Sequence, residues 1–487
     1  MMTRLAALAT ACAIASFARP ASYFFSPMPE VERGQVEILL GQGKEATEFR
    51  MPAWAPGDYQ IFNYGTKVAA VRFFKGTTEV DFKQGSDPNT WSIPGGANRV
   101  VYIVNESRGN FSENLRVSAD EFFISGPGVF GWFAGHQNEA HTIQLRELPA
   151  GFFTQTPLVA VAGQPNTFQA TDYDVLLDSP IVSGKNVRAH RFAVRSVPHD
   201  IVMFGRASTA SMVPFSDLAT KLIEANAQMF GRLPYPRYKF LFDYGGFPAG
   251  LEHATSARMG LWSTNPDQSM GLISHEYVHA YNVKVIRPRV LGPFDYTKPA
   301  VTGTLWWLEG VTDYYATVML VRAGLMDRTA ALREFGQDYV RYMRNGARLR
   351  VSADESSRRV WEGRGSQGYG GLSYYEKGRL IGFTLDVAIR LESGGRHSLD
   401  DVMRSLFEEC RDGKPGYEEG RIRELCVKFG GATLGPLYDR CVMSKEELPL
   451  SDFAVRMGSK WEGTNLIDDP LARNAIGQAW PSLIEKK

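Results

Sequence analysis

His275-Glu276-Tyr277-Val278-His279 sets two imidazoles four residues apart, with an acid beside the first. On a helix, positions i and i+4 share a face, with Cβ atoms about 5–6 Å apart, so the two rings can hold one metal ion. Glu276 then reaches a water on that metal. Two ligands and a general base are the working parts of a zinc-dependent hydrolysis. Structural zinc is closed by four protein ligands, whereas catalytic zinc keeps one place open, so a single further ligand is needed. Glu309 is the best candidate. It stands in Leu305-Trp306-Trp307-Leu308-Glu309-Gly310-Val311, where an unpaired carboxylate among apolar neighbours is costly and a metal removes that cost. Asp313, four residues further along the same helical face, is placed to accept the remaining N–H of a ligating histidine. One zinc ion per chain is expected.

The elements that position these residues follow from pattern. A helix over about 268–284 carries the two histidines and ends before Pro288. Upstream, 239–244 reads as a strand, Gly245-Gly246 as a turn, and 251–259 as a polar, edge-like strand. Residues 215–229 show helical periodicity on Leu218, Leu222, Ile223 and Ala227. Glu309 opens a helix that runs to Arg322-Ala323 and is capped by Gly324. Before about residue 200 the texture is different. Short runs such as 35–40, 68–74 and 100–104 are β-branched or aromatic, and Gly, Pro, Asn and Asp punctuate them at sandwich spacing. The aromatics of the glycine-rich stretch 125–133 either line a substrate rim or pack between sheets. Beyond 396 the chain is charged and helical, with amphipathic candidates at 399–410 and 418–429.

The fold class expected is therefore multidomain α+β. A leader covers 1–21, an N-terminal β-sandwich-like domain 22–200, a catalytic domain 201–395 and a C-terminal helical region 396–487. Net charge of +1 gives no footing for nucleic acid. Arg4, the uncharged apolar run 5–18 and the break at Arg19-Pro20-Ala21-Ser22, with small residues near the exit, have the form of a secretory signal. That run is too short to span a membrane, and no later stretch is long enough. An exported enzyme without stable membrane insertion is expected, periplasmic or secreted, with its oligomeric state unspecified. Cys410, Cys426 and Cys441 leave two alternatives, one disulfide with a free thiol or three buried thiols.

Taken together, His275-Glu276-x-x-His279 with Glu309 on a Trp-x-x-Glu-Gly helix resembles the gluzincin metallopeptidases, which share a thermolysin-like catalytic domain. Within them the chain resembles most the glycyl aminopeptidase family. Pro52-x-Trp54-x-Pro56-Gly57-x-Tyr59, Gly250-Leu251-Glu252-His253, His279-Ala280-Tyr281-Asn282-Val283-Lys284 with Arg287-Pro288, and Ser373-Tyr374-Tyr375-Glu376-Lys377-Gly378 carry that resemblance. It departs at Tyr281, where the family usually has Trp, and too few residues remain after about 465 for the C-terminal PDZ module of many members.

The resemblance implies further roles. In related aminopeptidases a glutamate of a glycine-led motif on an edge strand binds the substrate's free α-amine; Glu252, with Gly250 before it, matches. A tyrosine ahead of x-Lys-Gly hydrogen-bonds the tetrahedral oxyanion; Tyr375 matches, with Tyr374 the second choice. A phenol there stabilises charge that exists only in the transition state. Small first residues, Gly and Ala, are the implied peptide substrates. An endopeptidase of the same chemistry is the alternative if Glu252 faces away from the cleft. A non-catalytic peptide-binding protein needs neither Glu276 nor Tyr375.

Overall fold

The computed structural model describes residues 20–107, 113–206, 210–363 and 368–469. The expected leader falls outside them except at its end, where Ala21 already begins a strand, Ala21–Met28, paired in parallel with His141–Leu145.

Period-two burial builds the first unit. Along Arg33–Leu39, Gly34, Val36 and Ile38 are buried and their neighbours are not. Arg99–Asn105 repeats this with Val100, Tyr102 and Val104. Strands of this kind cover a core with one face. Both lie in an eight-stranded sheet, and two four-stranded sheets complete the unit. Phe25, Phe49, Trp91, Tyr102 and Phe122 fill its interior. Val129, Phe130, Trp132 and Phe133 enter the same interior, so the aromatics of the 125–133 stretch pack between sheets, with Trp132 also bordering a cleft.

The second unit is a five-stranded sheet with helices. Its strands are β1 (Arg188–Val194), β2 (Val197–Gly205), β3 (Tyr238–Tyr244), β4 (Gly250–His253) and β5 (Ser256–Leu261), in the spatial order β1-β2-β3-β5-β4. Helix α1 (Val213–Phe230) makes the crossover between the parallel pair β2 and β3. The changeover between units thus falls near 185, ahead of the boundary at 200, because β1 and β2 pair with β3 rather than with the sandwich. The expected strand 251–259 is a hairpin, with β4 at the free edge antiparallel to β5.

All seven residues of β3 are buried, which requires cover on both faces. On one face Phe242 meets Phe215 of α1 at 5.0 Å between ring centroids, and Phe240 meets Tyr277 of α2 (Met270–Val278) at 5.8 Å. On the other face Leu241, Val202 and Phe204 pack against Phe123 and Val182 of the N-terminal unit. Buried charges cross the same interface. Asp243 accepts hydrogen bonds from Arg116 at 3.1 Å and from Arg258 at 2.6 Å, and Arg258 also reaches Glu113 at 2.9 Å.

The helical part contains α3 (Thr312–Arg322), α4 (Arg328–Arg344), α5 (Tyr374–Glu392), α6 (Leu399–Cys410) and α7 (Arg421–Gly430). Among the described residues no helix is long and apolar enough to cross a membrane. The helix carrying the histidines is shorter than expected. It ends at Val278 with His279 as its C-cap, and 280–284 turn back. The C-terminal region is not wholly helical either. Strands Ser459–Glu462 and Asn465–Asp468 form a hairpin that lies on α4, with Trp461 5.6 Å from Tyr339. Cys410, Cys426 and Cys441 are three buried thiols, with no disulfide.

Asp243 is fully buried and pairs with two guanidinium groups, so removing its carboxylate leaves them only Glu113 and Glu121. Asp243→Ala is expected to lower the unfolding free energy by roughly 2–4 kcal/mol. A denaturant titration followed by circular dichroism measures it, and a loss below about 1 kcal/mol refutes this account of the interface.

Candidate metal centre and active site

The histidines reach one point because each ring is held from behind. His275 Nδ1 lies 2.7 Å from Asp313 Oδ1, on the first turn of α3. His279 Nδ1 lies 2.8 Å from the backbone carbonyl of Asn282, which the early end of α2 brings into reach. Asn282 in turn donates to the Trp307 carbonyl at 3.0 Å and to Thr312 Oγ1 at 2.9 Å, tying the turn to the segment that carries Glu309. With both Nδ1 atoms donating, both Nε2 atoms are bare lone pairs. They face each other at 2.9 Å, and Glu309 Oε2 sits 3.2 Å from one and 3.7 Å from the other.

Three acceptors converging without a hydrogen between them repel one another unless a cation lies among them. The donor set His275, His279 and Glu309 therefore fits a divalent metal, two imidazoles and one carboxylate with a place left open. Among the protein groups alone, a proton on His275 does part of what a cation would do. Burial opposes charging His275, but Asp313 and then Glu309 outweigh it, and its pKa lies well above the usual imidazole value. Burial likewise works against the Glu309 carboxylate, yet His279 and His275 hold it well below the ordinary range.

Local backbone sets the rest. Glu309 lies in a stretch of π-helix, Trp306–Val311, that runs into α3. Single π-turns inside helices re-aim side chains and recur at functional sites. The residue after Glu309 has no side chain for a reason: a Cβ on Gly310 would lie 2.4 Å from Gly378 Cα, and one on Gly378 would lie 2.2 Å from the Trp306 carbonyl. The ligand segment and α5 thus touch backbone to backbone, which fixes Tyr375 against the metal ligands. Its ring stacks on His275 at 6.0 Å and 28°, whereas the fully buried Tyr374 turns toward Tyr59.

Glu276 is buried, and its Oε2 has no hydrogen-bond partner. Burial pushes its carboxyl up to about 7 against the pull of His275 and His279, where a general base works best near neutral pH. The edge strand passes over it. A Cβ on Gly250 would lie 2.0 Å from Glu276 Oε1, so this position is glycine to make room for the base.

Two family models match the chain, the M61 glycyl aminopeptidase over residues 268–381 and the peptidase M61 N-terminal domain over residues 27–185, together more than half of it. The chain belongs to the M61 peptidase family. It is also similar to an aminopeptidase N family protein from Idiomarina loihiensis, 24% identical with a TM-score of 0.82, covering 90% of this chain and 78% of that one. A mutant M1 zinc metallopeptidase from Deinococcus radiodurans, solved with a Tyr-Ser-Ala substrate, shares the fold at 13% identity and a TM-score of 0.57, over 89% of this chain and 95% of that one. No curated protein sequence matches.

In this M61 peptidase Glu252 faces the centre. Its carboxylate, Glu276 and His279 have ligating atoms within 4.8 Å of one another. Among the described residues Glu252 makes no hydrogen bond and no close ion pair, although Lys284 and Arg287 line the cavity beside it. The lysine nearest by sequence and charge, Lys284, is committed to Asp178 at 2.9 Å. Asp178 also accepts the Ala254 N–H at 2.7 Å and meets His253 at 3.2 Å, so one carboxylate of the N-terminal unit clamps the β4–β5 turn and Lys284 together.

Two site residues carry no role from the sequence, Gly57 and Tyr59, though both belong to the Pro-bracketed motif at 52–59. Gly57 has φ +87°, and a Cβ there would come 2.3 Å from Leu251 and 3.4 Å from the Glu252 carboxylate. Tyr59 is buried, its hydroxyl facing Glu309, and its ring meets Trp361 at 5.9 Å and Tyr374 at 6.2 Å. The signal was a rigid loop, two prolines ahead of a glycine, carrying aromatics. With Trp54, Val283 and Phe294 these residues and Glu252 enclose a cavity of about 20 Å³. A larger cleft of about 870 Å³ lies on the other face of β4, lined by Leu251 and His253, and none of the metal-ligand candidates borders it.

Asp313 fixes one ring and Glu309 lies beyond its reach, so Asp313→Ala is expected to weaken metal binding by about 10–100-fold. Competition with a chromophoric chelator reads this directly, and unchanged affinity rules out the orienting role.

Proposed function

We propose that the chain is a zinc-dependent aminopeptidase that removes small N-terminal residues, Gly and Ala, from peptides, and that it works outside the cytoplasm. One observation carries this reading. Glu252 is a buried carboxylate without a partner, set beside the candidate base at the end of a free edge strand. An unpaired buried charge is costly, and a substrate's α-ammonium is the group that offsets it at that place. The preference for small residues is supported by the cavity of about 20 Å³ beside Glu252, room for about one water or one methyl group.

His275, His279 and Glu309 would hold one zinc ion, which when bound supplies an acidified water and a positive charge for the polarised carbonyl. Glu252 accepts the hydrogen bonds of the α-ammonium and sets the register of the peptide, whose backbone pairs with β4. Glu276 takes the proton of the attacking water and passes it to the leaving amine. Tyr375 donates its phenolic O–H to the carbonyl oxygen as that atom gains charge, which favours the transition state over the bound substrate.

Glu276→Gln should keep the metal and lower turnover of Gly- and Ala-initiated peptides by roughly 10²–10⁴-fold. Metal analysis alongside steady-state kinetics checks both halves. Acetylating the substrate's N-terminus should abolish cleavage by the unmodified enzyme. Equal rates on free and acetylated peptides would sink the aminopeptidase reading in favour of an endopeptidase.

A further inference from the structure

Two hollows lie on the two sides of β4, and some side chains stand in the wall of both. Among the described residues Pro56, Lys284, Arg287 and Phe294 line the cavity of about 20 Å³ that holds Glu252 and also the cleft of about 870 Å³. The strand divides the hollows by its own alternation. Glu252 borders the small cavity, while Leu251 and His253 border the cleft. The small cavity abuts the metal centre, because Tyr59, another of its walls, turns its hydroxyl to Glu309. The cleft therefore begins directly behind the cavity in which Glu252 holds the start of a peptide.

The shared wall has one large apolar member. Lys284 is tied to Asp178 at 2.9 Å, and the Arg287 guanidinium lies so close over Gly292 that a Cβ there would come 2.4 Å from its Cζ. Phe294 fills the space between the hollows. Its ring meets Trp54, which lines only the small cavity, at 5.6 Å between centroids, and Tyr296, which lines only the cleft, at 5.9 Å. It packs against the cores of both units. Its backbone N–H donates to Asp174 Oδ2 at 3.2 Å, so the chain here is held by a contact that does not involve the ring.

We infer that the Phe294 ring is the partition that restricts the first residue of the substrate to small side chains, by closing the cavity beside Glu252 off from the cleft behind it. The inference rests on the aminopeptidase reading and names the residue that sets its selectivity. A Gly or Ala side chain ends in front of the ring, whereas a Leu or Phe side chain runs into it. The partition selects by exclusion, so it lowers the rate on large first residues and does nothing for small ones. Removing the ring joins the two hollows and gives a long side chain a place to go.

The test uses the full-length enzyme with zinc and tetrapeptides with a free N-terminus that differ only in a first residue of Ala, Leu or Phe. The unmodified enzyme should prefer Ala to the other two by about 100-fold or more in kcat/KM. Phe294→Ala should raise kcat/KM on the Leu and Phe peptides by about tenfold or more and leave that on the Ala peptide within about threefold. Phe294→Tyr keeps the ring and should keep the original preference. A merely structural role would lower all three rates together and leave their ratio unmoved. Thermal unfolding shows which variants fold. Phe294→Leu, a milder change that retains an apolar side chain, should shift the ratio the same way by a smaller factor, and it decides the matter if the alanine variant does not fold. If the unmodified enzyme cleaves the Leu and Phe peptides as fast as the Ala peptide, or the folded variants keep the original ratio, the partition is overturned while the aminopeptidase reading stands. If no peptide with a free N-terminus is cleaved, that reading fails and the partition falls with it.

Discussion

Two imidazole nitrogens stand 2.9 Å apart, and a carboxylate oxygen leans on both. Such an arrangement is unfavourable in itself, and the surrounding structure has to impose it. Asp313 and the Asn282 carbonyl hold the rings from behind, and Asn282 ties their turn to the Glu309 segment. Gly310 and Gly378 let that segment lie directly on α5. Each of these contacts spends stability on geometry, and a cation is what makes the whole favourable.

The sheet behind the site depends on both units in the same way. The second face of β3 carries Leu241 between Lys239 and Asp243, and the N-terminal unit covers it with apolar side chains and with partners for those charges, as a second cover rather than an appendage. The cover brings chemistry with it. Gly57 and Tyr59 arrive in the cleft from a loop of the β unit, and Asp178 fastens the β4–β5 turn by two contacts and Lys284 by a third.

The centre of the site was legible in the sequence because it is written at short range. Two histidines at helical spacing and an acid among tryptophans declare themselves within a few residues. Glu252 was legible only by resemblance. Its unpaired state depends on Lys284 reaching Asp178, 106 residues away, and no local pattern carries that. The π-turn at Glu309 leaves no period that differs from an ordinary helix over six residues. The unit boundary was misplaced because β1 and β2 alternate much as the sandwich strands do, and only their pairing with β3 assigns them. The hairpin on α4 hid for a related reason: strands of four residues are too short to show a period. The left-handed Gly57 was visible as a turn but not as a wall of the site, since Leu251 and Glu252, which it borders, lie far along the chain.

The cavity beside Glu252 has walls drawn from both units, Trp54, Gly57 and Tyr59 from one and Val283 and Phe294 from the other. Neither unit folded alone possesses it. The pocket beside Glu252 is therefore a property of the docked pair, and a change at the seam between the units reaches it without touching a candidate ligand.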